Sequence, residues 1–191
     1  NLKIAIIGAT GVVGSTAIQI LEEREHPKEN IFPLASKRSE GKKIQYLDKN
    51  LIIKEINHNS FDSIDVAIFA AGGSVSEKFV DIAISKGVFV IDKGSVFRRD
   101  PKIPLIVPEV NAEDILWHPG VVSTPNCTTT PLVMIIDALR GISNITAAKV
   151  STYQAVTGTG LLAKNELFEQ SKNFLENKKI KPEVYPHQIA F

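Results

Sequence analysis

Lys3-Ile4-Ala5-Ile6-Ile7-Gly8-Ala9-Thr10-Gly11-Val12-Val13-Gly14, followed by Ser15-Thr16-Ala17-Ile18-Gln19-Ile20-Leu21, reads as strand, glycine turn and helix. The apolar run is a buried parallel strand. Glycines in such a turn let backbone approach a pyrophosphate and let helix and strand pack closely, with the phosphate on the helix N-terminus. The spacing is G-x-x-G-x-x-G, a variation on the commoner G-x-G-x-x-G. A plain βα turn is the competing reading, but Gly8, Gly11 and Gly14 spaced by threes favour dinucleotide binding.

The second strand indicates which dinucleotide. NAD-type sites place an acidic side chain about 20 residues on, to hold the ribose 2′-hydroxyl. Here Ile31-Phe32-Pro33-Leu34-Ala35 runs into Ser36-Lys37-Arg38-Ser39. Hydroxyl and basic groups suit a 2′-phosphate through charge-assisted hydrogen bonds, so the implied cofactor is NADP. Lys42 and Lys43 fit a solvated basic loop equally well; Ser36, Arg38 and Ser39 fall where the 2′-phosphate would lie.

Further along, β and α patterns alternate. Residues 44–47 and 51–56 read as a hairpin connected through Asp48-Lys49-Asn50, and 65–71 as a buried strand ending in Gly72-Gly73-Ser74. A helix over 75–85 is stopped by Gly87, and 88–92 is the next strand. The pattern predicts an α/β, doubly wound Rossmann-type domain whose ligands gather at the carboxyl ends of the strands. Residues 8–14, 36–39, 71–73 and 93–99 should surround one crevice. Pro101, Pro104 and Pro108 keep 92–111 loop-rich. Within it Arg98 and Arg99 offer guanidinium groups for a carboxylate or phosphate, against the alternative of two solvated arginines. A strand over 147–155 should lead through 156–160 into an amphipathic helix over 161–177. Gln154 at that strand end can donate to a substrate carboxylate or carbonyl.

The single cysteine stands in Thr124-Pro125-Asn126-Cys127-Thr128-Thr129-Thr130, between Val121-Val122-Ser123 and the helical pattern Leu132, Val133, Ile135, Ile136, Leu139. Unpaired N–H groups at a helix start favour thiolate over thiol, which makes Cys127 a nucleophile candidate. Free cysteines are also common core residues, and position alone leaves both readings open.

Composition bounds the class. With 191 residues, 43% hydrophobic, and a net charge of +1, the chain can bury a core and carries no bias toward nucleic acid or membrane. Its apolar runs are strand-sized, and the first is a strand rather than a signal peptide. One cysteine excludes an internal disulfide and fits a reducing, cytoplasmic setting. The absence of an initiator methionine and the apolar ending Ile189-Ala190-Phe191 imply a partial sequence.

Taken together, Gly8-Ala9-Thr10-Gly11-Val12-Val13-Gly14, Leu34 to Lys42, Ala71-Gly72-Gly73-Ser74, Phe97-Arg98, Val107-Pro108-Glu109-Val110-Asn111, Pro125-Asn126-Cys127-Thr128-Thr129 and Ser151 to Val156 resemble the aspartate-β-semialdehyde dehydrogenases. The resemblance runs through the whole chain in order. It implies NADP-dependent interconversion of aspartyl phosphate and aspartate semialdehyde through a cysteine acyl-thioester, toward lysine, methionine and threonine. Carried over, Cys127 is the nucleophile, Asn126 a possible oxyanion donor, Gln154 a substrate-positioning group and Arg98 the phosphate ligand. Gly8, Thr10, Gly11, Val12, Val13, Gly14, Ser36, Arg38, Ser39, Gly72, Thr157 and Gly158 fall to NADP. No metal is implied. Residues 1–126 become the nucleotide-binding domain and 127–191 the start of a catalytic and dimerisation domain of a homo-oligomer.

Three departures accompany the resemblance. Asp92-Lys93-Gly94-Ser95 replaces the family's usual Asp-Asn-Ser-Ser, and Thr157 stands for a common serine. The family's acid/base histidine and substrate arginine lie beyond Phe191. His26, His58, His118 and His187 read as surface residues, so residues 1–191 alone should be inactive. The N-acetylglutamyl-phosphate reductases share the chemistry but fit Tyr153-Gln154-Ala155-Val156 and Pro108-Glu109-Val110-Asn111 poorly. A non-catalytic NADP-binding homologue is the alternative from another class, and cysteine reactivity separates it from an enzyme.

Overall fold

The computed structural model describes residues 1–191. Its strands are β1 (Ile4–Ile7), β2 (Ile31–Ala35), β3 (Lys43–Tyr46), β4 (Lys49–Ile52), β5 (Lys54–Glu55), β6 (Val66–Phe69), β7 (Phe89–Asp92) and β8 (Val121–Ser123). The helices are α1 (Val12–Glu23), α2 (Gly73–Ser85), α3 (Pro108–Asn111), α4 (Thr129–Arg140) and α5 (Leu161–Leu175). Contacts group the chain into two units, Asn1–Lys149 and Val150–Phe191. The division expected after Asn126 falls earlier than this grouping, which keeps α4 with the sheet and with α3.

In the first unit, six parallel strands run in the order β5-β2-β1-β6-β7-β8. Successive side chains of a strand point to opposite faces, so β1 feeds two cores. Ala5 and Ile7 join Phe61, Phe69, Phe79, Val80 and Val90 on the α2 side. Ile6 joins Ile18, Ile31, Tyr46 and Leu51 on the α1 side. One helix on each face is the doubly wound arrangement that the apolar runs predict.

The hairpin differs from expectation at its turn. β3 and β4 pair antiparallel with Tyr46 opposite Lys49, so only Leu47 and Asp48 connect them. The run 51–56 divides: Leu51 and Ile52 finish β4, while Lys54 and Glu55 pair in parallel with Leu34 and Ala35. Between the two, the buried Ile53 exchanges backbone bonds with Gly41 and Lys42 at 2.9 Å each. The hairpin also braces α1. The Tyr46 hydroxyl lies 3.0 Å from the Leu21 carbonyl and 2.6 Å from that of His26, and the Leu47 N–H donates to Glu22.

Residues 147–155, which run from the end of the first unit into the second, form no strand. Their pattern has no paired neighbour, and a strand needs one for its N–H and C=O groups. Tyr153 is 96% exposed. α5 matches the predicted amphipathic helix, ending two residues early. Buried Glu166 on α5 accepts from the backbone N–H groups of Glu183 (3.0 Å), Val184 (2.6 Å) and Tyr185 (3.2 Å). Gln170 accepts from Ile189 and Ala190 at 2.8 and 3.2 Å. Burial opposes the Glu166 charge, but the three N–H donors together outweigh it and hold its pKa below the usual 4.5. A depressed carboxylate pKa contributes stability above the unfolded value that is lost as pH falls through the folded one. Amide-exchange protection at residues 183–185 is therefore expected to persist at neutral pH and fade below about pH 4.5. Glu166→Gln should weaken protection at neutral pH and flatten that dependence; an unchanged profile would show that the carboxylate does not hold the segment.

Candidate nucleotide-binding and cysteine site

Backbone bonds between strand ends assemble most of the expected site on one edge of the sheet. Gly8 and Ala9 donate to the Leu34 carbonyl at 2.8 and 3.1 Å, Ala70 to Ile7 at 2.9 Å, Lys93 to Phe69 at 2.9 Å, and Thr124 to Asp92 at 3.1 Å. The glycine turn, the Ser36 turn, Gly72, the Lys93–Arg98 loop and Cys127 thus all follow carboxyl ends of strands, where such sheets bind ligands.

Each glycine of the turn has its own reason. Gly8 has φ +87°, and a Cβ there would lie 2.7 Å from the Ala70 carbonyl oxygen. A Cβ on Gly14 would overlap the Gly8 carbonyl. Packing therefore accounts for these two on its own, so the spacing by threes favours dinucleotide binding less than expected. Gly11 differs: it caps α1 with φ −80° and ψ 165°, a conformation open to any residue. No side chain caps α1 and no acid stands in its first turn, so its N–H groups are free for an anion. Thr10 is exposed, and Val12 and Val13 are 50% and 48% exposed beside it. Gly72 has φ +94° and caps α2 with open space around it.

At the end of β2, Lys37 is occupied by Glu40 (2.5 Å) and Glu55 (3.5 Å). Arg38 is exposed and makes no ion pair or side-chain hydrogen bond. Ser36 is exposed, whereas Ser39 is buried, which leaves Ser36 and Arg38 as the accessible groups of this turn.

Cys127 is exposed, two residues ahead of α4. The expectation of free helix N–H groups there is not met. Asn126 takes them: its carbonyl accepts from Thr129 (3.0 Å) and Thr130 (3.1 Å), and its Oδ1 from the Thr128 N–H (2.8 Å) and hydroxyl (2.6 Å). The Cys127 Sγ lies 3.9 Å from the same Oδ1. The Asn126 Nδ2 and the Cys127 N–H make no hydrogen bond and remain as oxyanion donors. Arg98 is fixed across the loop, donating through Nε to the Thr124 carbonyl (2.9 Å) and through Nη2 to that of Lys93 (3.3 Å). Its remaining N–H groups are free for an anion.

Sequence placed Lys93 as a cation beside the phosphate region without giving it a role, and gave Asp92 none. Lys93 is exposed as a residue. Partial desolvation of its ammonium, and then the Arg98 charge, push its pKa below the ordinary lysine value, while Cys127 acts in the opposite direction. Asp92 is buried on the other face, where Ser76 of α2 donates to Oδ1 at 2.7 Å. Asp92 Oδ2 and the hydroxyl of its register partner Ser123 are buried without a partner.

Gln154, Thr157 and Gly158 belong to the second unit. There Thr157 and Gly158 lie in a 3₁₀ turn (Val156–Thr159), and a Cβ on Gly158 would overlap the Gln154 amide. His26 bonds the Leu2 carbonyl (2.9 Å) and His118 the Gly120 N–H (2.8 Å), at the amino ends of β1 and β8; His58 and His187 are exposed. A cavity of about 760 Å³ along the β2–β5 edge contains none of the expected site residues.

A parallel sheet in this order, with a glycine turn, an uncapped helix start and ligand-side loops at its carboxyl edge, defines a Rossmann-type dinucleotide-binding domain. Residues 3–118 match the family model described as semialdehyde dehydrogenase, NAD binding domain. The chain belongs to the semialdehyde dehydrogenase family, and the cofactor class is accordingly a nicotinamide dinucleotide. It is 43% identical to an aspartate-semialdehyde dehydrogenase of Aquifex aeolicus, over 99% of this chain and 57% of that protein. To the corresponding Bacillus subtilis protein it is 39% identical, over 100% and 57%. The solved aspartate semialdehyde dehydrogenase II of Vibrio cholerae, complexed with ASA, superposes with a TM-score of 0.91 at 36% identity, covering 100% of this chain and 57% of that one. The chain therefore spans somewhat over half the length of these relatives. No helix is long and apolar enough to cross a membrane.

Proposed function

We propose that this chain carries the NADP-binding domain and the nucleophilic cysteine of an aspartate-semialdehyde dehydrogenase, in the biosynthesis of lysine, methionine and threonine. The observation that carries this reading is the exposed Cys127 on the loop whose Thr124 carbonyl holds Arg98, at the same strand-end edge as the glycine turn. Relatives of that name along the whole chain support it.

The residues present fit NADP. The open N-terminus of α1 suits the pyrophosphate, and Arg38, alone free of carboxylates on its turn, suits the 2′-phosphate. Bound there, the nicotinamide supplies the hydride chemistry. The Cys127 thiolate adds to the substrate carbonyl carbon, and Asn126 Nδ2 donates to the resulting oxyanion. Arg98 holds phosphate, whose attack on the thioester carbonyl releases the acyl group as acyl phosphate and restores the thiolate. Gln154 orients the substrate, with Thr157 and Gly158 at the cofactor. Residues 1–126 hold the nucleotide, and the segment from 127 begins the catalytic and dimerisation part of a cytoplasmic homo-oligomer.

The test is NADP reduction by the full-length protein with aspartate semialdehyde, which should require phosphate. A folded protein silent under those conditions would move the reading to another acyl-phosphate reductase or a non-catalytic binder. In the same protein, Arg38→Ala is expected to weaken NADP by about 10- to 100-fold, the worth of a charge-assisted bond, and NAD by under about twofold. Equal losses in a binding titration would show that Arg38 does not read the 2′-phosphate.

A further inference from the structure

The turn assigned above to the cofactor has little of its own to hold it. Around Val156–Thr159 the backbone bonds are short-range: the Gly158 N–H donates to the Ala155 carbonyl and the Gly160 N–H to that of Thr157, each at 3.0 Å. No side chain caps this 3₁₀ turn, and Gln154, Thr157, Gly158 and Thr159 are all exposed. Such turns have poor hydrogen-bond geometry and stay short. One side-chain hydrogen bond reaches it from elsewhere in the unit, the Tyr185 hydroxyl donating to Thr159 Oγ1 at 2.6 Å across 26 residues of sequence.

The backbone on both sides of that tyrosine is clamped to α5. The Tyr185 N–H completes the trio that donates to the buried Glu166 carboxylate, and Gln170, one turn further along the helix, holds Ile189 and Ala190. A half-buried ring on a fixed backbone gives up little further freedom when its hydroxyl bonds, so the brace is preorganised. Gln154 shares the turn, since a Cβ on Gly158 would overlap its amide. Whatever fixes the turn therefore places Gln154, Thr157 and Gly158 together.

We propose that Tyr185 is a positioning residue for the nucleotide, its hydroxyl bracing Thr159 so that Thr157 and Gly158 meet NADP as a preformed turn. This deepens the assignment of Thr157 and Gly158 to the cofactor and rests on it.

The experiment is titration of NADP into the full-length protein and its variants. Tyr185→Phe keeps the ring and removes the hydroxyl, Thr159→Val removes the acceptor, and Thr159→Ser retains it. Tyr185→Phe and Thr159→Val are each expected to weaken NADP by about three- to tenfold, the worth of one neutral hydrogen bond. The double variant should match either single change within about twofold, and Thr159→Ser should match the parental protein as closely. Amide-exchange protection at residues 183–185 should be unchanged in Tyr185→Phe, because Glu166 holds that backbone. Lost protection would overturn the proposal, as the hydroxyl would then be holding the segment rather than the turn. Unchanged NADP affinity in Tyr185→Phe, or losses that multiply in the double variant, would overturn it too. Thr157→Val tells the two failures apart. If it weakens NADP while Tyr185→Phe does not, the brace falls and the cofactor assignment stands; if neither moves the affinity, both fall.

Discussion

In the full-length protein, Cys127→Ala is expected to lower phosphate-dependent turnover of aspartate semialdehyde by at least about 10⁴-fold and to leave NADP affinity within about twofold. The size follows from the role: without sulfur no acyl-enzyme forms, and no second thiol exists in residues 1–191 to replace it. The selectivity follows from position. Cys127 is exposed, so truncation opens no core cavity, and it follows β8, whereas the glycine turn follows β1, three places away in the sheet order. Steady-state rates and a nucleotide titration on the same preparation check both halves. Retained turnover would remove the nucleophile assignment. Lost NADP binding would show that the cysteine loop supports the nucleotide fold instead.

Gly14→Ala should be the most damaging single-methyl change in the first unit. The new Cβ would collide with the Gly8 carbonyl, backbone against backbone, where no flexible side chain can yield. Overpacking of this kind costs about 3 kcal/mol or more, a fall in melting temperature of roughly 6–12 °C for a chain this long. Gly11→Ala makes a controlled comparison. Its backbone conformation suits any residue, and its Cβ would stand 3.3 Å from the same carbonyl, tight but open to small adjustment. Melting is expected to move by only about 2 °C, while NADP binding weakens about tenfold because the methyl intrudes where the pyrophosphate approaches. Thermal melts and nucleotide titrations of both variants decide the matter. Native-like melting of Gly14→Ala would refute the packing account.

The alternation of apolar runs with glycine breaks made the parallel sheet legible, because burial on both faces leaves β1, β2 and β6 as continuous apolar runs. The short β5 escaped notice. Two residues carry no period of their own, and Lys54–Glu55 is a strand only because Leu34 and Ala35 lie beside it. The opposite error arose at 147–155, where a strand-like pattern has no partner in this chain. Cys127, Arg98 and the glycine turn were visible as residue types at strand ends. The occupation of the α4 N–H groups by Asn126 was not, since an asparagine before a helix reads equally as cap, turn or oxyanion donor. Lys93 was legible as a cation at a strand end near the phosphate region; its register with Thr124, across two strands about thirty residues apart in sequence, was not, since no local pattern records that proximity.

The division of labour among the three glycines bears on how such proteins change through descent. Gly8 and Gly14 are demanded by the backbone itself, so a lineage that abandoned nucleotide binding would still be forced to keep them in order to fold. Gly11 and Arg38 answer to the ligand, and drift would reach them first. A glycine fingerprint in a diverged copy of this gene would then be inherited architecture, and the substitutions at positions 11 and 38 would date the loss of the cofactor.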